Sequence, residues 1–304
     1  MNPAALYAKY LNGLVKLASP LRVVSDSSNG TTGIVLRRLK NKKLSLRLLN
    51  ARPDGRFPAH GPNPWATGAM NELSKKIRAH RADFGAIFDA DGDRAFFVDD
   101  KGRAVPQEAL VLLFKEDFPP PYLIDVRMGW LVKKSGLRFI ESRVGHYFMR
   151  KVMREKKLRL GVEFSGHTYF EYRFGVRRTY FDSGIRSMVH FANGVSRLKA
   201  RGLKLSTWLD SLPRYFRSGE INFRVENKEL AMKKLRSRFG RSARRVSHLD
   251  GLLMEFENWW FNVRASNTEP LLRLNVEAKE AKLLKQKTAE LMRFIGRFGR
   301  KSAH

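Results

Sequence analysis

The stretch GAIFDADGDRAFFVDDKG (residues 85–102) decides how the rest of the chain is read. An apolar run leads into aspartates at alternate positions, Asp89, Asp91 and Asp93. Arg94 follows, then a second apolar run and the turn DDKG. Two short apolar runs of this kind read as buried strands, which puts the acidic loop at the end of a sheet, where α/β proteins build their sites. In extended backbone, side chains at i, i+2 and i+4 point to one side, and a bend at Gly92 lets the three carboxylates converge. Oxygen-only donors at this density suit a hard cation, Mg²⁺ before others. Without a cation the charges repel and their pKa values rise. A solvated acidic turn is the plain alternative. An EF-hand fits poorly, because Arg94 stands where its glycine belongs and Asp100 where its glutamate belongs.

The acids gather here in a chain that is otherwise strongly basic. Its 304 residues carry 59 Lys and Arg against 29 Asp and Glu, a formal charge of +30. The cations run along the whole chain, with a denser stretch KKLRSRFGRSARR at residues 233–245. No nucleic-acid-binding motif accompanies them, so no specific nucleic-acid partner is expected; the charge by itself favours nonspecific electrostatic association. The sequence has no cysteine, which excludes disulfides, zinc–thiolate sites and thiol catalysis, and suits a reducing compartment. No apolar run reaches the length of a membrane span. A cytoplasmic protein with no membrane partner is the expectation.

Outward from the aspartate loop, strand and helix patterns alternate. The N-terminus predicts an amphipathic helix with Pro3 in its first turn and Leu6, Tyr10, Leu14 and Leu17 on one side. LRVVSD (21–26) reads as a strand, SSNGTTG as a turn, and IVLRRLKN (34–41) as a helix. RPDGRFPAHGPNPW (52–65) is a long irregular loop. Further on come a helix at NELSKKIRAH, strands at PYLIDV and LRFIES, and helices at HYFMRKVMREK and DSGIRSMVHFANGVSRLKA. The pattern changes at STWLDSLPRYF. Beyond it lie a strand, a basic helix, three strands and a long C-terminal helix. The resulting fold class is α/β: two mixed-sheet domains at residues 1–103 and 104–213, then a smaller α+β domain at 214–304.

DADGDR between two apolar strands resembles the metal-binding loop of the α-D-phosphohexomutases, the phosphomannomutase/phosphoglucomutase family. Two more motifs resemble that family in the same order: GVEFSGH (161–167) its sugar-recognition loop, and RASNTEPLLRLNVEA (264–278) its phosphate-binding loop. The residues agree with such roles. Arg264 offers a charged fork, and Ser266, Asn267 and Thr268 offer short donors in a tight loop before Pro270, a plausible phosphate cradle; a helix N-cap is the bland reading of S-N-T-E. Glu163 and Ser165 alternate on one face and can bind vicinal sugar hydroxyls. His167 titrates near neutral pH and can pass a proton to or from a hydroxyl, although alone it would read as structural.

The resemblance implies an isomerase. A phosphoserine passes its phosphoryl group to a hexose phosphate, mannose or glucose, and takes the other phosphate back from the 1,6-bisphosphate. It implies Mg²⁺ on Asp89, Asp91 and Asp93, Arg94 steadying the transferring group, and the other phosphate on Arg264, Ser266, Asn267 and Thr268. The motif loops are expected to share a cleft. The serine of that family lies in a T-A-S-H-N-P motif within a first domain, and no such motif occurs in this sequence. The expectation is therefore a chain inactive alone that needs a serine-bearing first domain, such as a separate polypeptide. The alternative is a truncated, non-catalytic sugar-phosphate-binding or interaction protein.

Overall fold

The computed structural model describes residues 2–66, 68–266 and 269–302. The chain forms two compact units. One comprises Met1–Ile124, Gly136–Ile140 and Met149–Leu212; the other Asp125–Ser135, Glu141–Phe148 and Pro213–His304.

The first unit opens with α1 (Pro3–Leu14), whose N-cap Asn2 accepts the Ala4 amide at 2.9 Å while Pro3 fills the first helical turn. There follow β1 (Leu21–Asp26), α2 (Thr32–Leu36), β2 (Leu44–Leu49), α3 (Asn71–Ala79), β3 (Phe84–Phe88) and β4 (Ala95–Asp99). The sheet order is β2-β1-β3-β4, with β1 parallel to both neighbours and β4 antiparallel to β3. Every residue of β3 and β4 is buried, which is why these strands read as unbroken apolar runs rather than alternating ones. Leu73 and Ile77 of α3 pack with Ile87, Phe96 and Val98 on one face. Phe84 and Phe97 meet the ring of Phe191 on the other, at centroid distances of 5.0 and 4.0 Å.

Next come α4 (Gln107–Phe114), β5 (Tyr122–Asp125), α5 (Trp130–Lys133, in the second unit), β6 (Phe139–Ser142), α6 (His146–Lys156), β7 (Leu160–Val162), β8 (Thr168–Phe174), β9 (Arg177–Asp182), α7 (Gly184–Ala200) and α8 (Leu205–Asp210). The strands form a mixed sheet ordered β6-β5-β7-β8-β9. Fourteen of the seventeen residues of α7 are buried. Its Phe191 meets the first sheet and its His190 stacks on Phe170 of β8 at 5.5 Å, so this helix is apolar or small on nearly every side.

The second unit holds β10 (Phe216–Val225), α9 (Lys228–Phe239), β11 (Arg245–Ser247), β12 (Leu252–Glu255), β13 (Trp259–Ala265), β14 (Leu271–Ala278), α10 (Ala281–Ile295) and β15 (Gly299–Lys301). These six strands form an antiparallel sheet ordered β11-β12-β13-β14-β10-β15. Strand alternation sends Phe261, Val263 and Leu274 toward Leu235, Phe239, Leu291 and Ile295 of the two helices. Trp260 and Leu253 pack instead with Val126 and Trp130.

Three mixed or antiparallel sheets with covering helices agree with the α/β class read from the sequence. Some local expectations change. The buried face of α1 is Ala8 and Leu11, whereas Leu6 and Tyr10 are exposed; the side that packs on α2 and α7 decides, and periodicity alone does not tell which stripe that is. The helix expected over residues 34–41 is shorter and ends at Leu36, after which the basic run turns into β2. Strands β2, β7, β8, β9, β11 and β15 are additions to the expected order. Among the described residues no helix is long and apolar enough to cross a membrane.

Candidate active site

The acidic loop is wound around Asp89, which directly follows β3. Its Oδ1 accepts the backbone amides of Gly92 at 3.1 Å and Arg94 at 3.2 Å, and its Oδ2 accepts Arg94 Nε at 2.5 Å. Asp89 is buried, Asp93 half-buried and Asp91 exposed. Each offers one carboxylate oxygen within 4.8 Å of the others. Burial, aided by Asp89 and Asp91 and opposed by His167, pushes the Asp93 carboxyl up to about 7. A set of oxygen donors held this close against their own repulsion suits a hard divalent cation.

The loop carrying Glu163, Ser165 and His167 is bonded to the acidic loop. It turns sharply: the Gly166 amide donates to Glu163 O at 3.0 Å and the Glu163 amide to His167 O at 2.9 Å. Gly166 has φ +98°, and a Cβ there would lie 2.5 Å from the Phe96 ring, so only glycine fits. Its carbonyl accepts the Ala95 amide at 3.2 Å, at the first residue of β4. Ser165 Oγ donates to the buried Glu163 carboxylate at 2.7 Å. His167 Nδ1 lies 2.8 Å from Asp182 Oδ2 and 3.6 Å from Asp93 Oδ1. Burial acts to lower the imidazole pKa, but the hydrogen bond to Asp182 and the charges of Asp93 and Glu163 outweigh it and hold it above the ordinary value.

The sequence reading did not assign Asp182. Its signal was DSG at the start of α7, and the fold gives that segment two tasks. Ser183 caps α7 through the Arg186 amide at 3.1 Å, and the Gly184 amide donates to Gly92 O at 2.9 Å inside the acidic loop. Any Cβ at position 184 would stand 2.6 Å from Arg94 O. The turn after β1 also reaches the loop, with the Thr31 amide donating to Ala90 O at 2.8 Å. Asp91, Asp93 and Asp182 line a cleft of about 520 Å³ with Tyr7, Thr31 and Ser183.

In the second unit, Arg264 at the end of β13 is nearly buried. Its Nη2 lies 3.6 Å from Glu220, Arg273 Nη1 lies 3.4 Å from the same carboxylate, and Arg127 Nη1 lies 4.0 Å away. Burial first, then repulsion from Arg127 and Arg273, lowers the Arg264 pKa against the pull of Glu220. The Nε atoms of Arg264 and Arg273 are buried without a hydrogen-bond partner among the described residues. Ser266 is buried, its amide donating to Leu271 O at 2.8 Å; its carbonyl, with that of Glu269, accepts Lys228 Nζ at 3.2 and 3.3 Å. Asn267 and Thr268 lie outside the described residues. Arg127, Arg273 and Lys228 were not assigned from sequence: Arg127 and Lys228 are far from Arg264 along the chain, and Arg273 reads as one position of the strand that follows the loop. Arg127 also pairs with Asp125 at 3.1 Å and Arg273 with Glu269 at 3.2 Å; a guanidinium fork such as that of Arg264 suits an anion such as a phosphate.

Comparison with known proteins agrees in order and extent. Family models match three successive segments: phosphoglucomutase/phosphomannomutase alpha/beta/alpha domain II over residues 5–102, alpha/beta/alpha domain III over 128–216, and the C-terminal domain over 220–293. The phosphomannomutase of Methanocaldococcus jannaschii is 33% identical over 290 residues, covering 92% of this chain and 62% of that protein. The phosphomannomutase of Vibrio cholerae is 33% identical over 313 residues, covering 96% and 66%. The chain thus spans somewhat under two-thirds of the length of these relatives. A phosphoglucomutase/phosphomannomutase family protein from Burkholderia thailandensis superposes with TM-score 0.81 at 25% identity, covering 96% of this chain and 64% of that one. The N-acetylphosphoglucosamine mutase of Aspergillus fumigatus, in complex with GlcNAc-6P and magnesium, shares the fold with TM-score 0.63 at 14% identity, covering 96% and 68%. With its three segments matched in order and its fold shared, this chain belongs to the phosphoglucomutase/phosphomannomutase family of isomerases.

Proposed function

We propose that this chain supplies the metal, sugar and phosphate sites of a phosphohexomutase that moves a phosphoryl group between C1 and C6 of mannose or glucose phosphate through a bisphosphate. The single observation that carries the reading is the bonding of the acidic loop to the Glu163–His167 turn, through Ala95 to Gly166 and His167 to Asp93. A hydroxyl bound by the one lies beside a cation held by the other.

In this reading Asp89, Asp91 and Asp93 hold Mg²⁺, which when bound neutralises charge on the transferring phosphoryl group. Arg94 adds a second positive charge at that point. Glu163 and Ser165 bind vicinal hydroxyls and fix the sugar. His167, kept basic by Asp182, gives a proton to or takes one from the reacting hydroxyl. Arg264 and Ser266, with Asn267 and Thr268, hold the phosphate that is not reacting, so that reversing the sugar presents its other end. Catalysis is then positioning and charge neutralisation rather than covalent work by these residues.

The group-storing nucleophile is not among them. Ser165 is engaged by Glu163 and suits hydroxyl binding, and no T-A-S-H-N-P motif occurs in the 304 residues. We therefore expect residues 1–304 alone to bind sugar phosphate without turnover, and a serine-bearing domain, in this polypeptide or a separate one, to complete the enzyme. The test is a coupled mutase assay with mannose or glucose 1-phosphate and catalytic sugar 1,6-bisphosphate, with and without a separately expressed serine-bearing domain. Turnover only with that domain, abolished by Asp91→Asn, supports the reading. Robust turnover by residues 1–304 alone overturns it.

A further inference from the structure

A run of exposed basic residues lies on α9 and the turn after it, in the second unit. Helices α9 and α10 lie side by side on one face of the six-stranded sheet: Leu235, Phe239, Leu291 and Ile295 share its core, and the Phe239 and Phe294 rings are 5.9 Å apart. Their outer faces point to solvent. From Leu230 to Leu249 the sequence contains no acid. Lys233, Lys234, Arg238 and Arg241 are all exposed, and none has a carboxylate partner among the described residues. Lys234 and Arg238 stand four residues apart on α9, which brings like charges together on one side of the helix at a cost to its own stability, and Arg241 follows in the turn after it. Arg236 and Arg238 lie in the last turn, where the helix dipole favours cations; Lys233 and Lys234 lie before it and gain no such compensation. Lys285 and Arg293 add exposed cations on α10. Exposed cations elsewhere are of both kinds: Lys101 and Arg103 pair with Asp210, whereas Arg37, Lys40, Lys42 and Lys75 have no carboxylate partner among the described residues.

We propose that this helical layer binds the phosphate backbone of duplex nucleic acid without reading its sequence. The class of partner follows from what the surface offers and lacks. No aromatic ring is exposed on α9 or α10, so bases of a single strand find no stacking platform. Leu230 is the one large apolar side chain exposed on these helices among the described residues, too little for insertion into a lipid surface. Closely spaced, unpaired cations match a dense, regular array of phosphates, and displacing the counterions of that array drives association. The proposal does not depend on the mutase reading.

The experiment is fluorescence anisotropy of the 304-residue protein with a labelled duplex of mixed sequence between about 50 and 200 mM salt, where four phosphate contacts give a slope of log affinity on log salt of about −3.6 and a loss of affinity of roughly a hundredfold. One variant carries Lys233→Glu, Lys234→Glu, Arg238→Glu and Arg241→Glu. A charge-matched control carries Arg37→Glu, Lys40→Glu, Lys42→Glu and Lys75→Glu, all exposed in the first unit. Circular dichroism confirms that both fold. Selective loss of binding in the first variant, with its slope flattened by about three, supports the proposal. Equal loss in both variants means that binding follows net charge and overturns it. So does absence of wild-type binding at the lowest salt, and so does equal or tighter binding to vesicles containing phosphatidylserine that is lost in the first variant.

Discussion

Replacing Gly166 by Ala tests whether the sugar-recognition turn is held against the metal loop by the geometry described. The residue has φ +98°, and the added methyl would lie 2.5 Å from Phe96 Cζ and 2.8 Å from Cε2. The backbone strain of a side chain in this region costs about 1–3 kcal/mol. The clash adds about 1–3 kcal/mol, because Phe96 is a buried ring with Trp65 edge-on at 5.2 Å and cannot simply swing aside. Together these predict a loss of about 2–6 kcal/mol, a large part of the stability of an ordinary domain. Urea unfolding followed by far-UV circular dichroism measures it, read on the transition of the first unit. Phe96→Leu removes the obstructing ring at a cost of about 1–2 kcal/mol. If the clash is real, the double variant falls short of the sum of the singles by about 1–3 kcal/mol, leaving the backbone part behind. A Gly166→Ala loss below about 1 kcal/mol, or strict additivity with Phe96→Leu, would refute the reasoning.

Asp91 is the exposed member of the acidic triad, so Asp91→Asn should weaken Mn²⁺ or Mg²⁺ binding by about tenfold or more in calorimetry while leaving the melting temperature nearly unchanged. Burial lowers the His190 pKa, opposed by its hydrogen bond to Asp117 at 2.9 Å. A depressed histidine pKa means that stability is complete above the ordinary value and is lost as pH falls below it; thermal melts from neutral to about pH 5 should fall, and less steeply in His190→Asn. In the second unit the buried Glu277 accepts the Trp130 amide at 2.8 Å and Trp260 Nε1 at 3.0 Å, and lies 3.5 Å from Arg217 Nε. Glu277→Ala strands all three, so it should cost about 3–5 kcal/mol in urea unfolding of that unit, and a loss below about 1 kcal/mol would show the network to be marginal.

The sequence determined the class of fold and the loops that carry chemistry, because both are written in short stretches. Buried strands such as FGAIF and AFFVD need apolar side chains at every position, and a cation loop between them needs its aspartates close together in the chain. Motif order likewise needs only the primary sequence. The tertiary structure decided which groups meet across long separations. Asp182 comes to His167 because β9 pairs beside β8, a hairpin whose charged outer positions hid it from an apolar pattern. Glu220 gathers Arg127, Arg264 and Arg273 because β10 lies beside β14 and β14 beside β13, a strand order that no local pattern encodes. The buried side of α1 was misread for the same reason. Hydrophobic periodicity records that an element has an inner face, but the neighbours that complete the face are chosen by contacts between residues far apart, whose energy enters only when the chain is folded.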